Sequence, residues 1–269
     1  MRLHALLIGI DKYQDDRIPN LRFAVADARR FHDIAVAALH PSEISIGYLY
    51  DEAATRPAIL KAIGTDLAAQ AQPDDVVLIH FAAHGSPELN EGADATARYL
   101  VPYDAVYDNL LGTGIDMERD LTTLLRRLGA RVVVVFLDAC FSGRAGGRSF
   151  EGPRLHAARD LRRWSPQLPV MDLGVGRIVI AAADDDEVAI ETSSAGHGLF
   201  SRAVIEALLD PSTDIPALAV STLYDTVAAR VTSETGGRQH PVMNGYTRIA
   251  RIPYLRPTPT VAREPESHP

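Results

Sequence analysis

The chain has 269 residues, 46% hydrophobic and 23% charged, enough to bury a full core and too apolar for a chain that stays disordered. Its formal net charge of −8 argues against a nucleic-acid binder that neutralises phosphates over a basic surface. One cysteine rules out an internal disulfide, and no apolar run approaches the roughly 20 residues of a membrane span; with no secretory leader at its start, the chain reads as cytoplasmic, with neither a nucleic-acid nor a membrane partner.

Residues 3–10 (LHALLIGI) form an apolar run of strand length that empties into the polar, proline-bearing DKYQDDRIPN. Ala24, Ala28, Phe31, Ile34, Ala35 and Ala38 then recur at helical spacing. ISIGYLY reads as a short strand, and Thr55 with Pro57 opens a helix over RPAILKAIGTDLAAQ, a hydroxyl cap followed by a proline tolerated in the first turn. Residues 74–83 (DDVVLIHFAA) are the next strand, followed by HGSPELNEGADATA, a loop by composition. RYLVPYDA is a short strand or ledge, and DMERDLTTLLRRLG a helix with Asp116 as cap and Gly129 as stop. RVVVVFLDA (131–139) and GRIVIAAA (176–183) are apolar enough to be buried on both faces, as central parallel strands are. GLFSRAVIEALL and PALAVSTLYDTVAARVTS are expected as helices. This alternation predicts a three-layer α/β/α fold around a mostly parallel sheet. One domain is expected over residues 1–252, with a flexible arginine-rich loop at about 143–171 and a disordered, proline-rich tail or linker at 253–269.

In such sheets reactive groups gather at the carboxyl ends of the strands. Two strands deliver candidates there: VVLIHFAA hands over His84 and Gly85, and VVVVFLDA hands over Cys140. A neighbouring imidazole lowers a thiol's pKa and makes a nucleophile of it. Gly85 would let its backbone approach a bound carbonyl, and its amide with that of Cys140 would form an oxyanion hole. The competing reading is a core cysteine at the end of an apolar strand, since free cysteine is among the most buried residue types. His80 reads as packed inside its strand, and His4, His32, His40, His156, His197 and His240 lack a spaced set of ligand partners, so no metal site is expected.

HFAAHG followed by VFLDACFSG resembles the histidine and cysteine motifs of the caspase-like cysteine peptidases, most closely the metacaspases and their bacterial relatives. The likeness extends to HALLIGIDKY, IPNLRFAVADAR, YLVPYDA and GHGLFSRAVIEAL, and so to about residues 3–250. It implies a caspase-like fold with Cys140 as nucleophile and His84 as base. It further implies that Asp27 and Asp138 line the pocket (S1) for the residue before the scissile bond (P1). Two carboxylates suit an arginine, or a lysine, as P1. The implied protein is therefore an endopeptidase acting on proteins or peptides, with a sensor or regulatory partner and a role as effector of a bacterial signalling or defence system.

Two alternatives stay open: a caspase-like peptidase preferring aspartate, with Arg22 near the pocket, and an inactive caspase-like scaffold. VADA stands where the family has NDA-like segments, so Ala26 replaces a polar residue. No cofactor is expected, apart from the calcium that some metacaspases need; Glu88, Glu91, Asp94, Asp104, Asp108 and the DDDE of 184–187 are the acids on offer, against a calcium ion's need for six to eight oxygens. The arginines Arg144, Arg148, Arg154, Arg159, Arg162 and Arg163 place several bonds of the enzyme's preferred kind beside its own nucleophile, so self-cleavage within 143–171 is expected; the alternative is a basic lid for an acidic partner.

Overall fold

A computed structural model describes residues 1–88, 97–141, 148, 173, 175–184, 187–192, 196–210, 216–245 and 250–255. The strands are β1 (Leu3–Gly9), β2 (Ile44–Tyr50), β3 (Val76–Ala82), β4 (Gly85–Glu88), β5 (Ala97–Leu100), β6 (Ile115–Asp116), β7 (Val132–Asp138), β8 (Arg177–Ala181), β9 (Glu191–Thr192), β10 (His197–Gly198), β11 (Ala217–Ala219), β12 (Val242–Asn244) and β13 (Arg251–Pro253). Six of them form the central sheet in the order β12-β8-β7-β3-β1-β2. All its neighbours pair in parallel except β12, which lies antiparallel on β8.

The apolar runs explain the order. β1 and β3 are buried along their whole length, and β7 along all but its first residue, because helices cover both faces. Leu6, Ile8, Ile79, Val133 and Val135 face Ile59, Ile63, Met117 and Leu125, which lie on the helical stretches over 56–70 and 117–127. Ala5, Leu7, Leu78, Val134 and Phe136 face the helices Ala24–Ala38, Leu199–Leu209 and Val220–Glu234. Three layers result, as the alternation of elements predicts. The caps form as expected: Thr55 accepts from the Ala58 amide, and Asp116 from those of Glu118 and Arg119.

Three expectations need correction. Gly85–Glu88 is a strand rather than loop: it pairs antiparallel with β5, where Pro87 is tolerated in a small sheet with an open edge. Ala217–Ala219, expected as helix, pairs with β13, and the helix begins only at Val220. Residues 253–255, expected in the tail, belong to the domain: Leu255 is buried and its amide donates to the Leu208 carbonyl. Of the arginine-rich segment 143–171 only Arg148 is among the described residues, and it is completely buried; the other five arginines lie outside them, as do residues 256–269.

Candidate active site

Parallel pairing aligns Ala82 with Asp138, so the two strands end side by side. His84 and Cys140 each follow two residues later, which places both at the carboxyl edge of the sheet, and both are buried. The His84 ring is held from below. Its Nε2 lies 2.8 Å from the Pro19 carbonyl, its own amide donates to the Tyr13 hydroxyl at 2.9 Å, and the Tyr13 ring packs against it with centroids 5.4 Å apart. A carbonyl can only accept, so Nε2 carries the proton and Nδ1 is the basic nitrogen. Gly85 is required by contact: a Cβ there would lie 2.3 Å from the Cys140 carbonyl oxygen.

Near the cysteine lie two buried carboxylates, Asp27, from the helix Ala24–Ala38, and Asp138, the last residue of β7. Each carboxylate is held by donors. Asp27 accepts from the Gly198 amide at 3.0 Å and from His197 Nδ1 at 3.0 Å; Asp138 accepts from Ser201 Oγ at 2.6 Å and its amide at 3.2 Å, and that Oγ also meets His80 Nε2 at 2.8 Å. The Arg148 guanidinium lies between them. It pairs with Asp27 through Nη2 and with Asp138 Oδ2 through Nη1 at 3.2 Å, all three side chains being almost wholly excluded from solvent. Gly198 makes room for it, since a Cβ there would come within 2.5 Å of Arg148 Nη2 and 2.8 Å of Asp138 Oδ2.

The Arg148 backbone is also engaged. Its carbonyl accepts from the amides of Gly85 at 3.1 Å and Cys140 at 3.4 Å, and its amide donates to the Ala189 carbonyl at 3.4 Å. Residues 188–190 are fixed in turn by the buried Gln239, whose Oε1 accepts from Ile190 at 2.9 Å and whose Nε2 donates to the Ala182 carbonyl at 2.8 Å. The Ala189 amide donates to Cys140 Sγ. Beside His84 an open cleft of about 260 Å³ is lined by Tyr13, Ile18, Pro19 and Tyr103, among others.

Burial sets the electrostatics. Desolvation pushes the Cys140 thiol up to about 12, against a weaker opposing pull from the Ala189 amide, and pushes the His84 imidazole down to about 4. Both shifts favour the neutral forms, against the thiolate expected from a neighbouring imidazole. Asp27 is raised above the ordinary carboxylate range, first by desolvation and then by the like charge of Asp138, with the Arg148 charge opposing.

The model of the caspase domain family matches residues 2–250. The chain belongs to the caspase domain family. A crystal structure of protein GSU0716 from Geobacter sulfurreducens superposes with a TM-score of 0.65 at 18% identity, covering 92% of this chain and 95% of that one. Caspase-1 from Spodoptera frugiperda superposes with a TM-score of 0.56 at 14% identity, covering 91% of this chain and 86% of that one. At these identities the likeness is one of fold. No curated protein matches the chain.

Within this caspase domain the residues singled out from sequence, Cys140, His84, Gly85, Asp27 and Asp138, converge on one place. The Arg22 guanidinium, considered for the acidic alternative, stacks 5.2 Å from the Phe23 ring centroid. Of the acids considered for calcium, Asp104 accepts the Arg56 amide at 2.7 Å and Asp108 pairs with Arg17, while Glu91 and Asp94 lie outside the described residues. Among the described residues no group of three or more His, Cys, Asp or Glu side chains could hold a metal ion, and no helix is long and apolar enough to cross a membrane. Sequence reading missed His197, Gly198, Ser201, Pro19 and Gln239. GHGLFS was available as a motif, yet nothing in its pattern says that its glycine and serine turn toward strand β7.

Proposed function

We propose that this caspase domain is a cysteine endopeptidase that cleaves after arginine, and less readily after lysine. One observation carries this reading: a buried guanidinium lies between two carboxylates, and the backbone carbonyl of the same arginine takes the amides of Cys140 and of Gly85, the residue after His84. A planar guanidinium can bond both carboxylates at once, whereas an ammonium acts as a point charge. An aspartate side chain would meet two like charges, which speaks against the acidic alternative.

In the reaction, His84 Nδ1 takes the Cys140 proton as Sγ attacks the substrate carbonyl carbon, and the amides of Gly85 and Cys140 receive the developing oxyanion. His84 then gives the proton to the leaving amine, on the side where the open cleft lies, and water hydrolyses the thioester. The test is turnover of fluorogenic peptides ending in Arg, Lys, Asp or Leu, with and without calcium. Turnover selective for Arg and lost in Cys140→Ala is expected; selectivity for Asp would overturn the pocket assignment. Silence of the Arg148→Gln protein under all conditions would favour the inactive scaffold.

A further inference from the structure

His80 is the polar exception in β3. Every other residue of Val76–Ala82 is apolar and the strand is buried along its whole length, so an imidazole here loses its water and must find a partner in the fold. The reaction described above gives it no task. Side chains alternate across a strand, and His80 lies opposite Phe136, two residues before Asp138, so His80 and Asp138 share one face of neighbouring strands. The Phe31 ring packs on the imidazole with centroids 5.3 Å apart. Ser201, from the helix Leu199–Leu209, stands between histidine and carboxylate: its Oγ lies 2.8 Å from His80 Nε2 and 2.6 Å from Asp138 Oδ2.

The direction of each bond follows from counting donors. Asp138 Oδ2 accepts from the Ser201 amide at 3.2 Å and lies 3.2 Å from Arg148 Nη1, so it is surrounded by donors and the hydroxyl beside it is a third. A hydroxyl has one proton; with that proton on the bond to Asp138, its oxygen is left to accept from His80 Nε2–H. Burial holds the imidazole down at about 4, chiefly by desolvation, with the Asp138 charge opposing, so at neutral pH the ring has one proton to place. Nδ1 is then bare, and among the described residues it meets no donor. Leucine or phenylalanine would fill this volume without an orphaned nitrogen. The imidazole leaves one nitrogen unpaired and supplies one directed proton.

We propose that His80 is a positioning residue for arginine selectivity: acting through Ser201, it turns the hydroxyl proton onto Asp138 Oδ2 and so fixes the carboxylate that receives a guanidinium. This rests on the peptidase reading above and adds to it a residue that touches neither substrate nor the reacting atoms. Without His80 the Ser201 hydroxyl is free to rotate, and Asp138 loses its shortest hydrogen bond for part of the time.

The experiment compares His80→Phe, a ring without a donor, His80→Gln, whose amide offers a proton, Ser201→Ala, and His80→Phe with Ser201→Ala together. Each is made in the full chain with and without Arg148→Gln and assayed on arginyl and leucyl reporters. His80→Phe and Ser201→Ala should each lower arginyl kcat/KM about tenfold, mainly through KM, the size expected for one hydrogen bond to a charged group, with leucyl turnover within about twofold. The double variant should match Ser201→Ala, because the two residues act in series, and His80→Gln should recover most of the loss. Equal losses on both reporters, or losses that multiply in the double variant, would make His80 a packing residue and overturn the proposal. NMR of the histidine ring nitrogens in the unmutated full chain gives a reading that needs neither turnover nor a folded variant. A buried neutral imidazole protonated at Nε2 is expected; protonation at Nδ1 would mean that Ser201 donates to the ring instead of to Asp138, and would overturn the relay. Absence of turnover in every protein would remove the peptidase reading and the selectivity with it, while the ring spectrum alone still decides whether the hydrogen-bonded chain exists.

Discussion

The two halves of the site are built on opposite principles. The pair assigned to the reaction, Cys140 and His84, is buried, and burial holds the thiol up at about 12 and the imidazole down at about 4. Asp27 and Asp138 are buried just as deeply, yet Arg148, the Gly198 and Ser201 amides and the Ser201 hydroxyl satisfy their oxygens. The same burial thus neutralises one pair of side chains and binds the other to a cation.

Removing pocket charge should break this contrast most sharply. Leaving one member of a buried ion pair without its partner costs about 3–5 kcal/mol, so Asp138→Asn and Asp27→Asn should each lower kcat/KM for arginyl peptides by roughly 10²-fold or more. The loss should be smaller for a leucyl peptide, and equal losses for both would show that the carboxylates serve the fold alone.

A smaller effect is expected from Gly198→Ala, which fills the pocket and leaves Cys140 and His84 untouched. Its Cβ would sit 2.5 Å from a bound guanidinium nitrogen, as measured with Arg148 in place. Arginyl turnover should drop at least tenfold, carried mainly by KM, while alkylation of Cys140 by a small haloacetamide stays within a few-fold of the wild type. A fall in both would place the damage in the reacting pair.

The smallest effect concerns stability and pH. His80 and His84 are both lowered to about 4 from 6.5 by burial, so below pH 6.5 the unfolded chain binds protons that the folded one does not, and stability is lost as pH falls toward 4. Asp27, being raised, works in the opposite direction over part of the same range, with one proton against two. Thermal melts should therefore show Tm falling between pH 6.5 and 4, and His80→Phe should flatten the slope. A flat profile in the parent would mean that the histidines are solvated.

Much of the sheet was legible in the sequence because its central strands are unbroken apolar runs, and a run buried on both faces needs no partner to be recognised. Cys140 and His84 were legible for the same reason, each standing at the end of such a run. Gly85–Glu88 and Ala217–Ala219 were not, since strands of three or four residues owe their state to a distant partner, β5 or β13. Arg148 was visible only as one arginine among six. Nothing local distinguishes it; its place follows from the distance between a strand end and a pocket floor in three dimensions.

The account's central claim is that Cys140 and the two-carboxylate pocket are parts of one site. The most direct measurement is alkylation by peptidyl chloromethyl ketones ending in Arg or Asp, with adducts mapped by mass spectrometry on the wild type and on Arg148→Gln. The account predicts a single adduct, on Cys140, formed much faster by the arginyl reagent and faster still once Arg148 is replaced. An aspartyl reagent reacting as fast as the arginyl one, or no adduct on Cys140 in either protein, would contradict it.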